Sequence, residues 1–98
     1  MSHTLYTVIR FKHLKTYTLE VEFDDGVTQV IDFEPLLKGE VFGPLRDPDL
    51  FKQVRIEPDF KNLVWPNDAE LDPEILHDWP KHQAEMEERA NAWAKVTA

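Results

Sequence analysis

The feature that most constrains the fold is a stretch of alternating residues divided by an Asp-Gly pair. Apolar and polar residues alternate strictly from Thr16 to Phe23, and Val27 to Phe33 resumes the same period of two after Asp25-Gly26. A period of two places alternate side chains on opposite faces of a strand, and Asp-Gly supplies the positive φ values of a tight turn. The sequence therefore predicts a β-hairpin. Its buried face should consist of Tyr17, Leu19, Val21 and Phe23, and its exposed face of Thr18, Glu20 and Glu22.

Three further stretches have the composition of strands. Leu5 to Lys12 is rich in β-branched and aromatic residues, and the short connection His13-Leu14-Lys15 makes it antiparallel to the next strand. Three such strands form a meander, which is the smallest sheet with stability of its own. Phe51 to Ile56 and Leu63 to Trp65 indicate two more short strands. We therefore expect an α+β fold with a small antiparallel sheet of about five strands.

Helices are predicted mainly in the last third of the chain. Asp47-Pro48 and Asp72-Pro73 each place an N-cap residue before a proline at the first helical position. Residues 81–96 are rich in alanine and charge, and one helical stripe contains Trp79, Met86, Ala90 and Trp93. We predict a single α+β domain over residues 1–79 and a C-terminal helical extension over residues 80–98, whose stripe packs on its own domain or on a second copy.

Composition excludes several classes of protein. The chain has 98 residues, enough for one domain, and 11 basic against 19 acidic residues give a net charge of −8. This charge argues against direct binding to nucleic acid, whose phosphates would be repelled. Without cysteine there is no disulfide, thiolate metal site or cysteine nucleophile. No apolar run approaches the roughly 20 residues that span a bilayer, and residues 1–15 do not resemble a signal peptide. We expect a cytoplasmic protein without membrane contact.

The residues needed for catalysis are sparse. The only serine is Ser2, and three glycines cannot form a phosphate-binding loop. His77 and His82 are five residues apart with Pro80 between them, which does not place both on one helix face. Glu74, Asp78 and His82 have better spacing for a metal, but polarity of a helix surface is the simpler explanation. The sequence therefore predicts no catalytic residues, no bound metal and no cofactor.

A candidate binding region follows the last predicted strand. Trp65 lies where the chain leaves the sheet, and Asn67, Asp68, Glu70 and Asp72 come directly after it. An exposed tryptophan surrounded by charges is typical of a protein interface. The alternative is that the indole covers the end of a small core. We predict these five residues as a partner-binding site and leave that alternative open.

The order of several short motifs resembles a known bacterial family. These motifs are Tyr17-Thr18-Leu19-Glu20-Val21-Glu22-Phe23-Asp24-Asp25-Gly26, Asp32-Phe33-Glu34-Pro35-Leu36-Leu37, Val41-Phe42-Gly43-Pro44-Leu45, Asp47-Pro48-Asp49-Leu50-Phe51 and Val64-Trp65-Pro66-Asn67. Over roughly residues 5–77 the chain resembles the family catalogued as domain of unknown function 2442. Asn67-Asp68-Ala69-Glu70 lacks the glycine with which that family usually continues the last motif.

The resemblance implies a compact α+β domain without established catalysis. Members of the family are often encoded beside another small protein, and such pairs have been interpreted as toxin–antitoxin-like. Together with the acidic charge, this predicts a non-catalytic interaction module that binds a basic protein partner, with an antitoxin-like role. Two alternatives remain: an accessory regulatory domain for a DNA-binding protein, and a small hydrolase or metal-binding protein. Self-association through the C-terminal helix is also compatible with the sequence.

Overall fold

The N-terminal meander is the framework of the molecule. The structure, a computed structural model, describes residues 6–96. Strands β1 (Val8–Lys15), β2 (Thr18–Phe23) and β3 (Thr28–Asp32) form an antiparallel sheet in the order β1-β2-β3. Leu19 pairs with Ile31 and Val21 with Gln29, which confirms the predicted hairpin register.

The two faces of β2 differ as the alternation requires. Its apolar residues from Leu19 to Phe23 are completely buried, and Tyr17 is half-buried. Its polar residues are half-buried rather than exposed, because long side chains of β1 lie across the sheet from them. Arg10 forms a 2.8 Å ion pair with Glu22, and Lys12 is the register partner of Glu20.

The remaining strands do not join this sheet, so the expectation of one sheet with about five strands is corrected to two sheets. Strands β4 (Arg55–Ile56) and β5 (Leu63–Val64) pair only with each other. Both are two residues long. The helical turn capped by Asp47 continues to Phe51, and Pro58 has no N–H with which to extend the ladder. A backbone hydrogen bond from Val8 N–H to the Lys61 carbonyl oxygen, at 2.9 Å, connects the two sheets.

Four α-helical segments and two 3-10 turns complete the fold of residues 6–96. The turns are Glu34–Leu36 and Gly43–Arg46, and the helices are α1 (Gly39–Phe42), α2 (Pro48–Phe51), α3 (Pro73–His77) and α4 (Trp79–Val96). The carboxylates of Asp47 and Asp72 accept hydrogen bonds from the backbone at the starts of α2 and α3, which confirms both predicted N-caps. Pro80 is the second residue of α4, a position where a missing N–H leaves no hydrogen bond unmade. Among residues 6–96, no helix is long and apolar enough to cross a membrane.

Helix α4 packs on its own chain. Met86 and Ala90 belong to the hydrophobic core cluster, and the half-buried ring of Trp93 stacks on Phe42 with the ring centroids 5.5 Å apart. Helix α4 contacts α1, the Glu34–Leu36 turn and α3. The apolar stripe is therefore covered within the chain. Whether residues 1–79 fold without α4 stays a prediction.

Candidate functional site

A surface groove separates the β4–β5 hairpin from the segment that leads into α3. Its volume is about 610 Å³. The charged side chains that line it are four carboxylates and one ammonium group, namely Asp59, Glu70, Asp72, Glu74 and Lys61. Among the described residues, no ion pair joins Lys61 to any of these carboxylates. We call this surface the acidic groove.

A tightly bonded loop forms one wall of the acidic groove and presents Phe60 to solvent. The Glu57 carboxylate accepts hydrogen bonds from the backbone N–H groups of Asp59, at 3.0 Å, and Phe60, at 2.7 Å. The Glu57 backbone also bonds to Lys61 N–H and to the Asn62 carbonyl oxygen. Lys61 adopts a left-handed φ of 55°, which reverses the chain. Phe60 is 78% exposed, the highest value among the large apolar residues of the described chain.

The backbone hydrogen bonds of this loop also change the pKa of Glu57. Hydrogen bonds from the backbone of Asp59 and Phe60 hold the pKa of its carboxyl below the ordinary value, and the charges of Arg55 and Lys61 act in the same direction. The charged form of Glu57 makes these bonds, so they are present at neutral pH. They fix the backbone of Phe60, whose side chain stays exposed.

The opposite wall comes from residues 70–74 and is connected to the loop by Asn62. The Asp72 carboxylate accepts a hydrogen bond from Glu74 N–H at 2.9 Å and so caps α3. Asn62 lies in the groove lining and is only 3% exposed, and its Nδ2 donates to the Leu71 carbonyl oxygen at 2.8 Å. Its buried Oδ1 has no hydrogen-bond partner among the described residues. An acceptor left in this state is costly, so it marks Asn62 as a position where a donor would be stabilising.

Behind the acidic groove, His77 connects the β2–β3 turn to the end of α3. Its Nε2 lies 2.7 Å from Asp25 Oδ2, and its Nδ1 lies 2.8 Å from Asp78 Oδ1. Tyr6, which lines the groove, stacks on the imidazole with ring centroids 3.7 Å apart. Only the imidazolium has two N–H groups, so the charged form satisfies both carboxylates.

The pKa values in this cluster follow from its geometry. Burial alone would lower the pKa of His77, but the hydrogen bonds and charges of Asp78 and Asp25 outweigh it and raise that pKa above the ordinary value. The Val27 N–H and then His77 lower the pKa of Asp25. Burial, followed by the negative charges of Asp78, Glu74 and Asp25, raises the pKa of the Tyr6 hydroxyl. His77 therefore has no nitrogen free to act as a general base in this arrangement.

Trp65 lies in the core rather than in the acidic groove. Its side chain is 2% exposed, its Nε1 donates to the Phe51 carbonyl oxygen at 3.0 Å, and its ring packs against Phe33 and Phe51. An interface anchor must be accessible to the partner. The sequence left two alternatives for Trp65, an interface anchor and a core residue, and this placement corresponds to the core residue.

The other four predicted residues lie in two places. Glu70 and Asp72 line the acidic groove. Asn67 and Asp68 are exposed on the preceding turn, where Asn67 Nδ2 donates to the Val41 carbonyl oxygen at 2.8 Å. Asp68 has a φ of 66°, the left-handed conformation that favours glycine.

Sequence reasoning missed the aromatic residues of the acidic groove. Phe60 is a single apolar residue in a polar turn and belongs to no periodic pattern. Tyr6 lies within the predicted strand Leu5 to Lys12, but the structure begins β1 at Val8, so Tyr6 precedes it. The signal that could have identified Phe60 is its position between Pro58-Asp59 and Lys61, where a turn leaves a large side chain without a buried face. Within residues 6–96, no group of three or more histidine, aspartate or glutamate side chains is arranged to hold a metal ion.

Comparison with known proteins places the chain in a family. No curated protein and no solved structure matches it. A family model described as "Protein of unknown function (DUF2442)" matches residues 8–82, which include the meander, both walls of the acidic groove and the start of α4. The chain therefore belongs to the DUF2442 family.

Proposed function

We propose that this protein is a non-catalytic interaction module that binds a basic segment of a partner protein in the acidic groove. The observation that carries the proposal is Phe60, which is 78% exposed on a firmly bonded loop beside four carboxylates. An exposed aromatic side chain offers apolar area whose burial by a partner is favourable, and aromatic residues are frequent anchors at interfaces. In this proposal Phe60 takes the anchoring role that was one of the two alternatives for Trp65.

Charge determines the kind of partner. Among the described residues, the groove is lined by four carboxylates and one ammonium group, and the whole chain carries a net charge of −8. Such a surface accelerates encounter with basic proteins and repels nucleic-acid phosphates. The family resemblance adds a candidate partner, the product of a neighbouring reading frame, to which this chain would be antitoxin-like. We propose no self-association through α4, because its stripe of Met86 and Ala90 is buried within the chain.

The test is calorimetric titration of this chain with the purified product of the neighbouring reading frame, at low and high salt. A Glu70→Lys, Glu74→Lys double variant should bind at least tenfold more weakly, and added salt should weaken the wild type. Phe60→Ser should weaken binding about thirtyfold, as expected for a central aromatic anchor. Asp72 is left unchanged because its side chain caps α3.

Matched variants control for charge and apolar area. Glu40→Lys with Glu88→Lys makes the same change in net charge at exposed positions outside the groove, and Val41→Ser removes another exposed apolar side chain. These variants should retain wild-type affinity within about twofold. Equal losses in both sets, or tight binding to RNA or DNA at physiological salt, would contradict the proposal.

A further inference from the structure

The lining of the acidic groove combines carboxylates, aromatic rings and an amide oxygen, and a guanidinium group can interact with all three. It provides carboxylates that belong to no ion pair within the described residues, namely Asp59, Glu70, Asp72 and Glu74. It also provides two aromatic rings and one buried amide oxygen without a donor. This inference rests on the proposed function, since it concerns the ligand of the same groove.

The amide oxygen is independent of the acidic cluster. Asn62 is 3% exposed, and its Nδ2 is already bonded to the Leu71 carbonyl oxygen. Its Oδ1 therefore lacks only a donor. An unpaired buried acceptor is rare in folded proteins. The oxygen has almost no exposed surface, so a ligand N–H would satisfy it after a local shift of the groove lining.

The aromatic rings favour a flat cation over a spherical one. Phe60 is 78% exposed, and Tyr6 has one face covered by His77 and lines the groove as well. A guanidinium group stacks on aromatic faces and carries five N–H donors in one plane, so it can pair with two carboxylate oxygens and still donate to an amide oxygen. An ammonium group is a strongly hydrated point charge and lacks this geometry.

We infer that the acidic groove binds arginine side chains of the partner in preference to lysine side chains. Stacking on one exposed ring gives a preference of about fivefold, and the paired hydrogen bonds add to it. The partner segment is therefore expected to be arginine-rich, with an arginine against Phe60.

The test compares two defined probes on the full chain, capped hexa-arginine and capped hexa-lysine, which have equal length and charge. Calorimetric titration should give at least fivefold tighter binding of hexa-arginine. In NMR spectra, the side-chain amide signal of Asn62 should shift more with hexa-arginine than with hexa-lysine. Phe60→Leu keeps an apolar side chain but removes the ring, so it should reduce the preference about fivefold and leave only the part that the paired hydrogen bonds supply.

The outcomes distinguish a failure of arginine selectivity from a failure of the proposed function. Equal affinity of the two peptides would overturn arginine selectivity while the groove remained a site for basic segments. A preference that persisted undiminished in Phe60→Leu without a shift at Asn62 would also overturn it, because the selectivity would arise elsewhere. Binding of neither peptide would overturn the inference and the proposed function together.

Discussion

Gly39 controls how closely α4 can approach α1, and replacing it by alanine tests that packing directly. Gly39 has a φ of +81°, and a Cβ atom built at this position would lie 2.7 Å from the Cβ of Trp93. Neither atom can rotate away, because each is fixed to its backbone. Gly39→Ala must therefore move α4 away from α1 and disturb the stacking of Trp93 on Phe42.

A second glycine separates the cost of the left-handed backbone from the cost of the steric overlap with Trp93. Gly26 has a similar φ of +90°, but an added Cβ there would meet no atom within 4 Å. Gly26→Ala should therefore show only the cost of left-handed backbone, about 1–2 kcal/mol of unfolding free energy. Gly39→Ala adds an overpacking cost of about 1–3 kcal/mol, for a total of about 2–5 kcal/mol.

Urea unfolding of the two variants and the wild type measures the difference. With a slope of about 1–1.5 kcal/mol/M for a chain of this size, an extra 2 kcal/mol lowers the midpoint of Gly39→Ala by roughly 1.5 M relative to Gly26→Ala. The near-ultraviolet circular dichroism of Trp93 should change only in Gly39→Ala. If the two variants unfolded at the same urea concentration, the close contact between α1 and α4 would be refuted.

Three further predictions concern the sheet, the histidine cluster and the turn after Trp65. Leu19→Ala should cost about 2–5 kcal/mol in urea melts because it empties a core position, whereas Thr18→Ala should cost less than about 1 kcal/mol, and comparable losses would contradict the hairpin register. Because the pKa of His77 is raised, its imidazolium stabilises the fold at pH values below the ordinary pKa of 6.5, and this stability is lost as pH rises through the raised pKa. Because the pKa of Asp25 is lowered, its carboxylate stabilises the fold at pH values above the ordinary pKa of 3.8, and this stability is lost as pH falls through the lowered pKa. Urea midpoints should therefore be highest between about pH 4 and 6.5, and a His77→Gln variant that kept the same decline above that range would contradict this role of His77. Asp68→Gly should stabilise the protein by about 0.5–1 kcal/mol by relieving its left-handed φ, and unchanged or lower thermal stability would oppose that explanation.

The sequence by itself determined the features that depend on neighbouring residues. Alternation and Asp25-Gly26 specify the hairpin, because the period of two and the turn conformation are both local properties. Asp47 and Asp72 specify helix starts for the same reason, since an N-cap bonds only two or three residues along the chain. The family resemblance and the stripe on α4 also follow from spacing alone.

Only the tertiary structure decided how distant segments meet. The sequence predicted Glu70 and Asp72 as site residues, but Phe60 joins them because the β4–β5 hairpin folds back against the start of α3. Trp65 carries the same local signal whether it anchors a partner or fills the core, and its burial depends on Phe33 and Phe51, which lie far away in the chain. His77 likewise acquires Asp25 across 52 residues. Long-range packing leaves no periodic trace in a single sequence, so the acidic character of the groove was predictable and the exposed Phe60 beside it was not.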